Sequence, residues 1–207
     1  MSATRTTECQ VFEIPAWPLG LAKRRLEITA GGVAFAGSYI SAEEYESLTI
    51  GVIRQSVNGL RTGTYHSIQI RGGGRKIKIN LTDIYYGSSK GKLFDAIYTA
   101  IMSSVGRNLI SRILYALKNN QTYSIGDATF TNKGANLVGK NLFLMRTHPI
   151  FVPYERLVSE IYNGELKLSD RLHKKSACRM QLATTPNACL ISPLFTLLGG
   201  GPMATTK

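Results

Sequence analysis

Cysteine, histidine, carboxylates and long apolar runs are all scarce in this chain. The three cysteines, Cys9, Cys178 and Cys189, are scattered and odd in number. That argues against a disulfide framework and fits a reducing compartment. The histidines His66, His148 and His173 lie outside metal-ligand spacing of one another and of any cysteine, so no zinc site is expected. Among the 13 Asp and Glu no pair stands out for acid–base work, and Glu43, Glu44 and Glu46 read as a solvated acidic turn. There is no G-x-S-x-G nucleophile elbow. The opening stretch MSATRTTECQVFEI has no apolar core, so it is not expected to act as a secretory signal. No window approaches the roughly 18 apolar residues that span a bilayer. These absences lead to the expectation of a soluble, cytoplasmic protein that is not an enzyme and carries no cofactor or metal.

Basic charge is what the chain has in excess. Its 25 Lys and Arg leave a formal charge of +12. Residues 1–105 hold 12 cations against 8 carboxylates, and residues 106–207 hold 13 against 5. The second half is therefore the part expected to meet an anionic partner, unless the charge serves only a solvated surface. Three partner classes stay open: a protein segment or second copy of the chain, nucleic acid, and an anionic membrane surface.

Most of the chain alternates with the period of a β-strand. The 20 glycines and 10 tyrosines agree with that tendency. Trp17, between Pro15 and Pro18, belongs to an extended entry segment over 11–18 and reads as a packing residue. Strands are predicted over 25–29, 33–35, 48–57, 65–71 and 75–81, with turns at Gly31-Gly32, at Asn58-Gly59 and at the triple glycine Gly72-Gly73-Gly74. Residues 40–45 read as a short acidic connection. In the second half strands are predicted over 123–131, 135–138, 142–145, 150–152, 156–162, 165–168 and 176–183, with Asn163-Gly164 as a turn and a short helical close over 189–198. Cys178 lies near Lys174, Lys175 and Arg179, an environment that favours a thiolate. Its place in a strand suits a buried structural thiol better.

One stretch departs from that pattern. Over 91–119, Leu93, Phe94, Ile97, Ile101 and Val105, then Leu109, Ile110, Ile113, Leu114 and Leu117, recur at helical spacing. Gly106 falls between the sets, so the spacing predicts one kinked helix or two that meet at a hinge. Two Gly-rich stretches invite a phosphate-loop reading. Gly87 to Leu93 lacks one spacer of the Walker A pattern and has Leu93 where the magnesium hydroxyl belongs, which excludes nucleotide hydrolysis. A Gly91-Lys92 turn holding an anion at a helix N-terminus remains open. Gly72-Gly73-Gly74 joins two strands and so is not a dinucleotide fingerprint.

The halves follow one order. Residues 32–35 (GVAF) match 127–130 (DATF); Tyr45-Glu46 and Tyr154-Glu155 each precede a central strand; Asn58-Gly59 and Asn163-Gly164 end it; a basic hairpin and an apolar helical segment follow. FTNKGANL, FVPYERLVSEIYNGELKL and TTPNACLISPLFTLL carry the resemblance that this order suggests. The chain resembles the bacterial pleckstrin-homology-like domains, loosely over 24–105 and better over 121–198. The resemblance implies an α+β, mainly antiparallel β fold. It implies two split β-barrel modules, 1–105 with a C-terminal helix and 106–207 with a leading helix and a short closing one. It implies a binding module and no particular ligand. The first half lacks the proline–aromatic pair of that family at 40–45. Neither half has the dense basic set on its first hairpin that marks the phosphoinositide-binding members.

The candidate anion-binding residues lie on the two basic hairpins. In RKIKIN, Lys76, Lys78 and Asn80 share one strand face, and Arg75, Ile77 and Ile79 the other. Arg75, Lys76 and Lys78 form the first set. Arg171, His173, Lys174, Lys175 and Arg179 form the second and denser one. Neither has aromatics interleaved, which single-stranded nucleic acid would favour. Lysines that protect an exposed sheet edge are the alternative explanation for both.

Overall fold

The structure is a computed structural model, and it describes residues 9–15, 22–57, 60–83, 89–139, 149–173 and 177–199. Trp17, Asn58-Gly59, the strand expected over 142–145, His148, Lys174 and Lys175 lie outside the described residues. The fold is mainly antiparallel β-sheet with helices, of the α+β class. The chain divides into two compact units, Met1–Leu48 with Val52–Leu109, and Thr49–Gly51 with Ile110–Lys207.

The first unit opens with a four-stranded meander of β1 (Gln10–Pro15), β2 (Lys23–Ile28), β3 (Gly32–Phe35) and β4 (Ser38–Ser41). Its inward residues, Leu26, Ile28, Val33, Phe35 and Ile40, are all buried. The strand β4 takes residues 38–41 and so claims the first two positions of the short acidic stretch expected over 40–45. Its hairpin is closed by Ala36 and Gly37, both at positive φ, a turn that lacks the Asn-Gly signature. The acidic residues occupy only a short 3-10 turn, Ala42–Glu44, behind Ser41.

A second sheet follows, of β5 (Tyr45–Val57), β6 (Leu60–Gly72) and β7 (Arg75–Asp83), in that order. Ile68 and Ile70 on β6 and Ile77, Ile79 and Leu81 on β7 are buried, so this hairpin sends every second side chain to the core. The triple glycine has a steric cause. Gly73 and Gly74 have φ of 55° and 70° and make the two-residue turn. A Cβ on Gly72 would stand 2.2 Å from the Glu44 carbonyl oxygen, and one on Gly73 would stand 2.5 Å from the Glu44 carboxylate.

The helical stretch is one run, α1 (Ser89–Ile101) and α2 (Arg107–Lys118), joined by a single π turn, Met102–Gly106. The π turn takes the place of the predicted kink or hinge. It accommodates one extra residue per turn, and Val105 and Gly106 stay buried. The Ser103 hydroxyl donates to the Ala100 carbonyl at 2.9 Å, a local bond that competes with the regular ladder. Asn120, at φ 57°, ends α2. The Gln121 N–H reaches the Ala116 carbonyl at 3.0 Å and the Asn120 N–H reaches the Leu117 carbonyl at 3.1 Å, a Schellman close.

The second unit repeats the order of the first. A four-stranded sheet of β8 (Tyr123–Ile125), β9 (Ala128–Phe130), β10 (Gly134–Leu137) and β11 (Ile150–Pro153) precedes a three-stranded sheet of β12 (Leu157–Tyr162), β13 (Glu165–Asp170) and β14 (Ala177–Gln181). A 3-10 turn, Ala188–Leu190, then leads into α3 (Ile191–Leu197), which buries Ile191, Leu194 and Phe195. The single strand expected over 123–131 is two strands. Ile125 pairs with Ala128 around Gly126, whose φ is 57°. That shifts the correspondence between halves by one strand: GVAF of β3 stands in the same order as β10, not β9. Asn163 and Gly164, at φ 49° and 76°, make the predicted hairpin turn.

In each unit the strands form two separate sheets, and no closed barrel forms among the described residues.

Candidate functional site

Position along the β6–β7 hairpin decides which basic residues act together. Arg71 pairs directly across from Lys76, Gln69 from Lys78, and Ser67 from Asn80. These six lie on the face opposite the buried isoleucines, and Arg71, Lys76 and Lys78 are exposed. The Ser67 hydroxyl donates to the Asn80 side-chain oxygen at 3.3 Å. Among the described residues no carboxylate pairs with Arg71, Lys76 or Lys78. Like charges placed directly opposite across a ladder destabilise it. Among the described residues, the face therefore holds a positive cluster that no carboxylate compensates.

Arg75, expected to belong with Lys76 and Lys78, is used elsewhere. Its guanidinium donates to the Tyr39 carbonyl at 2.9 Å, tying β7 to β4. It also helps hold the Glu44 carboxyl below its ordinary range, behind the larger contributions of the Ser41 N–H and the Ser41 hydroxyl. Arg71 takes its place in the cluster. The sequence signal for Arg71 was its position at the mouth of the glycine turn, which sets the register that brings it opposite Lys76.

The second candidate set is dispersed. Arg179 lies in mid-strand and pairs with Glu165 at 3.1 Å, beside the Lys167–Glu160 pair at 3.5 Å. That face alternates in sign and is close to neutral. Arg171 and His173 are exposed in the β13–β14 connection, and Lys174 and Lys175 lie outside the described residues. The connection is organised by Asp170, which is 1% exposed. Its carboxylate takes two bonds from the Arg156 guanidinium and one from the Leu172 N–H at 2.9 Å. The bonds from Arg156, ahead of the one from Leu172, hold the Asp170 carboxyl below its ordinary range.

The other candidates read from sequence are structural in place. The Gly91-Lys92 turn is absent, because helix α1 already begins at Ser89 and both residues lie inside it. The His66 ring packs on Phe94 with centroids 4.4 Å apart. Cys178 is fully buried on β14, and burial pushes the Cys189 thiol up to about 12. Among the described residues no group of His, Cys, Asp and Glu is placed to hold a metal ion. No helix there is long and apolar enough to cross a membrane.

Two features recur in both units. Thr29 and Thr131 each accept a bond from the N–H of the glycine three residues on, at 3.2 Å, and return their own N–H to its carbonyl, at 2.9 and 2.8 Å. Those glycines, Gly32 and Gly134, each leave no room for a Cβ, which would stand 2.4 Å from the Ile40 carbonyl oxygen and 2.3 Å from that of Val152. Next, Tyr45 and Tyr154 are buried at the entrance to the second sheet, and burial pushes both phenols up to about 12. No family model and no curated protein matches the chain.

Proposed function

We propose that the chain is a non-enzymatic binding or scaffold protein made of two tandem pleckstrin-homology-like modules, and that it engages an acidic protein segment. The modular part of this reading is supported by the repeated order of four strands, three strands and helix. The shared Thr-x-x-Gly turn and the shared buried tyrosine add to that support. The binding part rests on one observation, the Arg71, Lys76 and Lys78 face of the β6–β7 hairpin, which no carboxylate compensates among the described residues. Three cations on one face of the β6–β7 hairpin suit a run of carboxylates, and the cost of holding them together falls when such a ligand binds.

Calorimetric titration with a polyglutamate peptide at low salt tests the proposal. Binding that weakens as salt rises, and that the triple variant Arg71→Gln/Lys76→Gln/Lys78→Gln loses, is the expected result. No heat of binding at low salt, where surface electrostatics is strongest, would overturn it.

A further inference from the structure

A different surface, on α2, carries what neither basic hairpin has: an exposed aromatic set between cations. Tyr115 is 72% exposed, and Arg112 and Lys118 are exposed three residues to either side. At 3.6 residues per turn the three lie within an arc of about 120°, with each cation about 4.5 Å along the axis from the tyrosine. Between Asp95 and Asp127 the chain has no carboxylate side chain. The stripe extends past the helix. The Asn132 amide donates to the Asn120 side-chain oxygen at 2.5 Å, which draws the β9–β10 turn and its exposed Lys133 to the C-terminal end of α2.

We infer that this stripe binds single-stranded nucleic acid, with a base stacked on Tyr115 and phosphates held by Arg112, Lys118 and Lys133. The charged groups are all donors, which fits an acceptor-rich phosphate backbone. The aromatic ring between them fits an unstacked base, and a duplex has no such base to offer. A bilayer fits poorly. Interfacial helices bury an apolar face in lipid, and here the apolar face of α2, with Ile110, Ile113 and Leu117, is already buried in the protein. A protein partner fits less well, because interface cores are depleted in charge and this stripe has cations on both sides of its one aromatic. The inference does not depend on what the β6–β7 hairpin binds.

Fluorescence anisotropy with labelled oligothymidylate and oligouridylate, and with a duplex of equal length, tests it at low salt. Both single strands are expected to bind more tightly than the duplex. Tyr115→Ala should weaken that binding at least about fivefold, and Tyr115→Phe, which keeps the ring, should not. Arg112→Gln and Lys118→Gln should each lower the slope of log affinity on log salt by about one. Lys76→Gln/Lys78→Gln should leave single-strand affinity unchanged, while Tyr115→Ala should leave polyglutamate binding unchanged, so either surface can fail alone. Tyr115→Ala binding like the parent overturns the inference, as does equal or tighter duplex binding, loss through the hairpin variant, or no binding of either strand. The exposure of Tyr115 makes a folding defect an unsuitable explanation for lost binding, and circular dichroism of the variant checks that directly.

Discussion

Tyr154 donates its phenolic hydroxyl to the carbonyl of Thr131 at 2.5 Å, pinning the β9–β10 turn to the start of the three-stranded sheet. In the first unit the matching carbonyl, that of Thr29, takes a different donor. Ser104, in the π turn, donates its hydroxyl to the Thr29 carbonyl at 3.3 Å. Tyr154→Phe should therefore cost about 1–3 kcal/mol, because it takes the phenol from a part-buried carbonyl. Tyr45→Phe should cost less than about 1 kcal/mol, since Ser104 still covers Thr29. Urea unfolding of the two variants gives the comparison. Equal costs would show that Ser104 does not protect Thr29.

The same two phenols set an alkaline limit on stability. Burial raises both to about 12, against an ordinary 10. Below pH 10 they are protonated whether the chain is folded or not. Between 10 and 12 the unfolded chain gives up these protons and the folded chain keeps them, so unfolding releases protons and stability falls as pH rises. Melting temperature should decline through that window, and less steeply in the Tyr45→Phe/Tyr154→Phe double variant. A double variant that declines as steeply as the parent would remove these phenols as the cause.

Asp170 works in the acid range with the opposite sign. Its carboxyl titrates below the usual value because the Arg156 bonds favour the charged form. Its stabilising effect is present above the ordinary carboxylate value of about 4 and is lost as pH falls through the lower folded one. Asp170→Asn should cost about 1.5–3 kcal/mol at neutral pH, and should make unfolding less sensitive to acid. Chemical denaturation at several pH values checks both outcomes. If the parent and the variant lose stability in parallel on acidification, Asp170 is not the group responsible.

How legible these features were depends on their range. Strand alternation around Ile68, Ile70, Ile77 and Ile79 is local, and it placed the hairpin and its buried face. The helical periodicity from Phe94 to Leu117 was equally plain. The π turn was not, because a hydroxyl bonding a carbonyl three residues back leaves no mark on apolar spacing. Strand β4 was missed because the turn before it uses Ala36 at positive φ, which no turn rule anticipates. Strand 123–131 was read whole because alternation runs on through Gly126. Among candidate site residues, sequence neighbours stood in for spatial ones. Arg75 adjoins Lys76 and Arg179 follows Lys175 by four residues in the chain, yet one is tied to Tyr39 and the other to Glu165. The Arg112, Tyr115 and Lys118 stripe was hidden for the converse reason: its members are three apart and become neighbours only on a helix.

Gly32 and Gly134 should prove equally intolerant of a side chain. Each opens the third strand of its sheet, and a Cβ on either meets a backbone carbonyl that cannot swing aside. Gly32→Ala and Gly134→Ala should each cost about 1–3 kcal/mol. Gly37→Ala meets nothing within 4 Å, so only its φ of 81° penalises it. Thermal unfolding of the three separates steric from conformational cost. If Gly134→Ala is tolerated while Gly32→Ala is not, the two glycines do not serve matching roles.

The hairpin cluster makes a prediction in which stability and binding move apart. Arg71 and Lys76 stand directly opposite each other with no carboxylate to offset them among the described residues. Lys76→Glu replaces a repulsive cross-strand pair with an attractive one, so it should stabilise the fold by about 0.2–1 kcal/mol. High salt should shrink that gain, because the face is exposed and its charges are screened. The same variant should bind polyglutamate far more weakly than the parent. A residue kept only to guard a sheet edge would not behave this way, since a glutamate guards an edge as well as a lysine does. Gain in stability with loss of binding, measured on one variant, separates a cluster kept for a ligand from a merely solvated face. If Lys76→Glu destabilises the protein, the Arg71–Lys76 repulsion inferred from the register is not felt in solution.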